Sequence, residues 1–164
     1  MLKAKKLIVI AAGQADNKAP VMNEMKRPLS RFGIREVLTL LEELKECPIA
    51  LPDLILCSPS LYVKQTVDLL QEILSNIDIV YKDALYAAPD YRLLDTIKAL
   101  DDIFESVMLI GELPGIQEFA SYVAKGKGKI LLRPATGVIL TLSKGESWHT
   151  FGAGKALCRP LIKN

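Results

Sequence analysis

Glu112 stands directly after the apolar run Ser106-Val107-Met108-Leu109-Ile110-Gly111 and before Leu113-Pro114. A carboxylate so placed can act as a general base, or can hold a cation, an amine or a basic side chain. Equally, it can satisfy the N-terminus of the helix that Pro114 opens. Cys57 ends another apolar run, and as a nucleophile it would need a cation beside it to lower its pKa; its neighbours supply none. Tyr62, five residues on, can fill space or offer its hydroxyl to a ligand. The only histidine, His149, follows Trp148 far along the chain, where a surface or structural role is expected. One histidine excludes any mechanism that needs two, and any multi-histidine metal site. Cys47, Cys57 and Cys158 are odd in number and widely spaced, which argues for reduced thiols in a core rather than a zinc site or a disulfide framework. Asp16 and Glu112 together do not make a coordination shell, so no metal or other cofactor is expected. Gly13 alone lacks the glycine pattern of a phosphate-cradling loop. The lysines of Lys125-Gly126-Lys127-Gly128-Lys129 read as a solvated loop tip.

These residues need elements to position them. Strand-like and helix-like segments alternate along 164 residues, half of them apolar, the size of one compact domain spanning 1–164. Leu7–Ala11, Asp53–Cys57, Ile77–Tyr81 and Ser106–Ile110 read as strands, the first a continuous apolar run. Ser30 can cap a helix with Ile34, Val37, Leu38, Leu41 and Leu44 at helical spacing, Leu29 and Ile34 forming a hydrophobic staple. Ser58-Pro59 reads as the cap and first residue of a helix burying Val63, Val67, Leu70 and Leu74. Pro89-Asp90 and Pro114 open two more, the first with Leu93, Leu94, Ile97 and Leu100, the second with Ile116, Phe119, Ala120 and Val123. Thr136–Leu142 and Lys155–Arg159 look like strands of a terminal β-meander. The expected fold is therefore α/β, a three-layer sandwich with a mostly parallel sheet and helices on both faces. Ligands in such folds sit beyond the carboxyl ends of strands, here Ala11-Ala12-Gly13, Cys57-Ser58-Pro59 and Gly111 to Gly115. The sixteen-residue segment from Gly13 to Pro28 is long for a connection, the length of a lid or binding loop.

A net charge of +2 gives no strong field, so neither nucleic acid nor an anionic membrane is an expected partner. No apolar run reaches the roughly 18 residues of a spanning helix. The basic and apolar start, Met1 to Ile10, lacks a signal-type cleavage pattern, and a cytoplasmic protein is expected.

Several stretches carry a likeness. Arg27-Pro28-Leu29-Ser30-Arg31-Phe32-Gly33, Pro52 to Pro59 with Gln65-Thr66, Leu85-Tyr86, Ser106 to Gly111, and an ending with Trp148, Gly152, Gly154 and Arg159-Pro160 follow one another in order. Together they resemble the SixA-type phosphohistidine phosphatases of the histidine phosphatase superfamily, whose relatives include the phosphoglycerate mutases. The resemblance implies a phosphoglycerate mutase-like fold and a link to phosphohistidine signalling. It also implies four catalytic positions, and this chain departs at each. The Arg-His of the first strand end is Ala11-Ala12, the arginine of Ser-Pro-x-x-Arg is Tyr62, and the second histidine is Glu112.

A methyl group at position 12 cannot attack phosphorus. Each lost arginine forfeits charge-assisted hydrogen bonds of about 1.5–3 kcal/mol. Glu112 adds an anion where the resemblance puts phosphate; like charges about 4 Å apart repel by about 4 kcal/mol at an effective dielectric of 20. Two readings follow. One is a non-catalytic binding or regulatory module, its altered pocket formed by Ala11, Ala12, Gly13, Ser58, Tyr62 and Glu112 and occupied by a protein or small ligand. The other is a phosphatase or other hydrolase using relocated groups, Glu112 or Cys57.

Overall fold

In a computed structural model, residues 3–126 and 128–162 are described. Met1, Leu2 and Lys127, named above in the amino-terminal segment and the lysine turn, lie outside them. Six strands form one sheet: β1 (Lys6–Ala11), β2 (Leu54–Cys57), β3 (Asp78–Tyr81), β4 (Ser106–Gly111), β5 (Gly137–Thr141) and β6 (Leu157–Pro160). Their order is β3-β2-β4-β1-β5-β6. β3, β2, β4 and β1 run parallel, while β5 and β6 are antiparallel, the terminal pair that the sequence suggests.

β1 shows why three layers form. Side chains alternate faces along a strand, so Leu7, Val9 and Ala11 enter one core and Ile8, Ile10 and Ala12 the other. The first core is covered by α4 (Asp90–Lys98) and α5 (Gly115–Val123), with Trp148 and Phe151 from the last connection. The second is covered by α1 (Arg31–Glu46), α2 (Leu61–Leu69) and the short α3 (Gln71–Leu74). With both faces buried, the strand reads as an unbroken apolar run. Each fully buried leucine or isoleucine contributes about 1.5–3 kcal/mol.

Four expectations are corrected. α1 is capped by Ser30, whose Oγ accepts the Gly33 N–H at 2.8 Å, but its buried stripe is Gly33, Val37, Leu40, Leu41 and Leu44. Ile34 and Leu38 flank it and stay 38% and 41% exposed, so no Leu29–Ile34 staple buries both partners. α2 does not begin at Ser58-Pro59; Ser60 is its N-cap residue, and Ser58 prolongs the pairing of β2, its N–H donating to the Ile110 carbonyl at 3.2 Å. The helix expected to run on through Leu74 breaks at Leu70 into α2 and α3, though Val63, Val67, Leu70 and Leu74 are all buried. Cys47 is the exposed C-cap residue of α1 rather than a core thiol, whereas Cys57 is buried and Cys158 half-buried. Gly126 and Gly128 hold left-handed backbones, and Lys125 and Lys129 are exposed.

Candidate functional site

Three strands deliver residues to one edge of the sheet. Ala11 pairs with Gly111 and Cys57 with Ile110, so Ala12, Ser58 and Glu112 are the first residues past β1, β2 and β4. Glu112 leaves from the strand between the other two. Pairing continues one step further, the Ala12 N–H donating to the Gly111 carbonyl at 3.0 Å. This is the strand-end position where doubly wound sheets hold ligands.

A cavity of about 410 Å³ opens here, lined among others by Arg27, Ser60, Tyr62, Tyr86, Glu112 and Glu118. Of the six positions expected to form the pocket, Tyr62 and Glu112 line it. Ala11, Ala12 and Ser58 are 0%, 5% and 0% exposed, and Gly13 is buried; they form the layer beneath rather than the wall. The Gly13 amide is already used, donating to Thr66 Oγ1 at 3.2 Å, so it offers no cradle for an anion.

The Gln65-Thr66 pair explains how the site is assembled. Gln65 Oε1 accepts the Leu29 N–H at 2.7 Å, while Thr66 Oγ1 donates to the Tyr62 carbonyl at 2.8 Å. One turn of α2 thereby fixes the exit of β1, the start of α1 and the backbone that carries Tyr62. The segment between Gly13 and Pro28 folds back as a strap. Its ends pair through an Ala15–Leu29 bridge and the Asp16 N–H to Pro28 carbonyl bond of 2.8 Å.

Glu112 does not satisfy its own helix with its carboxylate, as one reading of the sequence has it. The Ile116 N–H of α5 goes to the Glu112 backbone carbonyl at 3.1 Å. Instead, Oε1 accepts the Ala87 N–H at 3.0 Å from across the cavity. Burial holds the carboxyl above its ordinary range, and hydrogen bonds from Ala87, Ser58 and Ser60 offset part of that rise. Ser60 accordingly makes no capping bond to α2, since its hydroxyl faces Ser58 and Glu112. Tyr62 is pushed upward by burial and then by the charges of Glu112 and Tyr86, so it stays a neutral donor.

Glu24, Glu112 and Glu118 set three carboxylates on the wall against one guanidinium, Arg27. Arg27 Nε and Nη2 donate to the two oxygens of Glu24 at 2.9 and 2.7 Å, and Nη1 donates to the Asp16 and Ala19 carbonyls at 2.7 and 3.0 Å. In the sequence Arg27 and Tyr86 figure only as parts of motifs, and Glu24, Ser60 and Glu118 are not among the expected site residues. The three-residue spacing of Glu24 and Arg27 was the available clue.

The remaining candidates lie elsewhere. His149 is exposed on the short turn Trp148–Thr150 and does not line the cavity. Cys57 is fully buried, and burial pushes its thiol up to about 12. A thiol so placed is neutral at pH 7 and closed to substrate. Asp16 does not line the cavity either, and its Oδ1 accepts the Lys18 N–H at 3.0 Å. Among the described residues, no group of three or more His, Cys, Asp or Glu could hold a metal ion. Among them too, no helix is long and apolar enough to cross a membrane.

Layering, strand order and the strand-end cavity define a phosphoglycerate mutase-like α/β fold, the fold of the SixA phosphohistidine phosphatases. Three solved structures make the likeness particular. The chain superposes on a protein assigned as the phosphohistidine phosphatase SixA from Nakamurella multipartitia at a TM-score of 0.81, with 19% identity over 99% of this chain and 96% of that one. For the protein histidine phosphatase SixA complexed with tungstate, the values are 0.76 and 18%, over 94% of each chain. Against phosphoglycerate mutase from Bacillus anthracis they are 0.71 and 11%, over 98% and 93%. No family model matches the sequence, and no curated protein does.

Proposed function

We propose that this chain is a non-catalytic binding module on a phosphohistidine-phosphatase scaffold, its strand-end cavity recognising a cationic group. The observation that carries this reading is Glu112, a half-buried carboxylate at the end of the central strand β4, lining a cavity whose single guanidinium is already bonded to Glu24. A protonated amine or basic side chain would gain the Glu112 carboxylate on a wall shared with Tyr62 and Tyr86, a pairing favoured by charge. A phosphate would meet repulsion instead. The solved neighbour that holds tungstate carries an oxyanion; here the acidic wall argues for the opposite charge. Ala12 is a buried methyl group, and Cys57 is sealed, so neither supports nucleophilic attack.

The occupant is then a protein or small ligand, and a cytoplasmic place and a signalling role belong to the same proposal. A hydrolase with Glu112 as base is the competing reading, favoured by the upward shift of that carboxyl beside the Ser60 hydroxyl. Turnover measured on a phosphohistidine protein and on an aryl phosphate separates the two. The expected result is no turnover above buffer. Activity abolished by Glu112→Ala would establish the hydrolase instead.

A further inference from the structure

The ion pair between Glu24 and Arg27 is lopsided. The Arg27 side chain is 14% exposed and that of Glu24 70%. Arg27 is anchored in the strap by the Asp16 and Ala19 carbonyls, which take Nη1. Its other face, Nε and Nη2, presents the planar two-bond fork that fits carboxylate and phosphate alike, and Glu24 occupies it. Both residues line the cavity.

The turn that carries Glu24 does not depend on its carboxylate. Asn23 Oδ1 accepts the Met25 N–H at 3.0 Å, and the Arg27 N–H reaches the Glu24 backbone carbonyl at 3.1 Å. The carboxylate is therefore a tethered ligand held close to the fork at high effective concentration, which an outside anion must exceed. Those two bonds keep the turn in place without the carboxylate.

Resting on the reading of the cavity as a ligand site, we infer that Glu24 is an internal occupant of an oxyanion seat on Arg27 and sets the charge selectivity of the cavity. With Glu24 in place, the cavity admits cations. With its charge removed, the fork takes the carboxylate or phosphate end of a ligand.

Wild type, Glu24→Gln and Glu24→Asp are titrated with inorganic phosphate, acetate and n-butylammonium, following the Arg27 Nε–H resonance and the cavity amides by NMR. Glu24→Gln should bind phosphate at least about tenfold more tightly than wild type, about 1.4 kcal/mol, with the Arg27 Nε–H shifting on binding. Glu24→Asp, which keeps the charge, should behave as wild type. Acetate and phosphate titrations distinguish a preference for carboxylate from one for phosphate. Equal oxyanion affinity in wild type and Glu24→Gln overturns the inference, as does binding that leaves Arg27 unmoved. Failure of n-butylammonium to bind wild type overturns the cation reading of the cavity instead, and the phosphate contrast still decides the role of Glu24.

Discussion

The Ala87 N–H and the Glu112 carboxylate meet at 3.0 Å across the cavity, and Ala87 holds a left-handed backbone, φ +46°, to make the contact. An alanine in that region costs about 1–2 kcal/mol. The conformation persists because its surroundings fix it. A Cβ at Gly115 would collide with the Ala88 carbonyl, so α5 packs directly on this wall. The carboxylate is thus positioned by a segment distant in sequence, and the cost of its burial is only partly met by hydrogen bonds.

That burial gives Glu112 a pH signature. The folded carboxyl titrates above its ordinary value of 4.5, so between 4.5 and its folded value the native state binds more protons than the unfolded chain. Stability contributed by this group is greatest at low pH and falls as pH rises through that window. Glu112→Gln keeps an oxygen for the Ala87 N–H and removes the charge. Its melting temperature should exceed that of wild type at pH 7 by on the order of 2 °C, and the gap should close below about pH 4. Thermal melts of both proteins from pH 3.5 to 7.5 test this. A gap that does not change with pH would show that the carboxylate carries no net burial cost.

Gly33 should be intolerant of any side chain. A Cβ there would strike the Gln14 carbonyl, a backbone atom that cannot rotate away. The same Gln14 carbonyl accepts the Ser30 N–H at 2.9 Å, so the collision falls where the strap meets the cap of α1. Gly33→Ala should cost about 2–3 kcal/mol by overpacking, a loss in melting temperature of about 4–10 °C. Binding of n-butylammonium should weaken with it, because the displaced strap carries Arg27 and Glu24. A variant that melts with wild type would mean that the approach of α1 to the strap is looser than the structure has it.

Much of the fold could be read because its rules are local. The unbroken apolar run of β1 records two buried faces, and Pro89 and Pro114 mark helix starts that the structure places one residue later. Glu112 was legible for the same reason, as the polar residue that follows a buried strand. What failed depended on contacts between distant segments. Ile34 and Leu38 are apolar residues beside a stripe whose position is set by Gly33 against Gln14, and residue type alone cannot tell the stripe from its flank. Ser58 looked like a cap because Ser-Pro favours one; the continued pairing to Ile110 took precedence. The Glu24–Arg27 fork lay hidden because it reaches the cavity only when the strap closes through Asp16 and Pro28.

The cysteines offer the last test, since two of them differ so sharply. Cys47 is exposed at the end of α1, and Cys57 lies under the site, fully buried with its thiol pushed up to about 12. Reaction with a disulfide reagent goes through the thiolate and needs access. At pH 8 the native protein should show a fast phase that Cys47→Ser removes and Cys57→Ala leaves unchanged. Cys57 should react only on the timescale of unfolding, and denaturant should expose it. The prediction bears on function as well as packing. A hydrolase working through Cys57 requires that thiol to be open and ionised in the native state, and it would lose activity to the reagent in step with fast labelling of Cys57. Slow labelling of Cys57, with the fast phase belonging to Cys47, removes that route and leaves Glu112 as the group on which any chemistry at this strand end would depend.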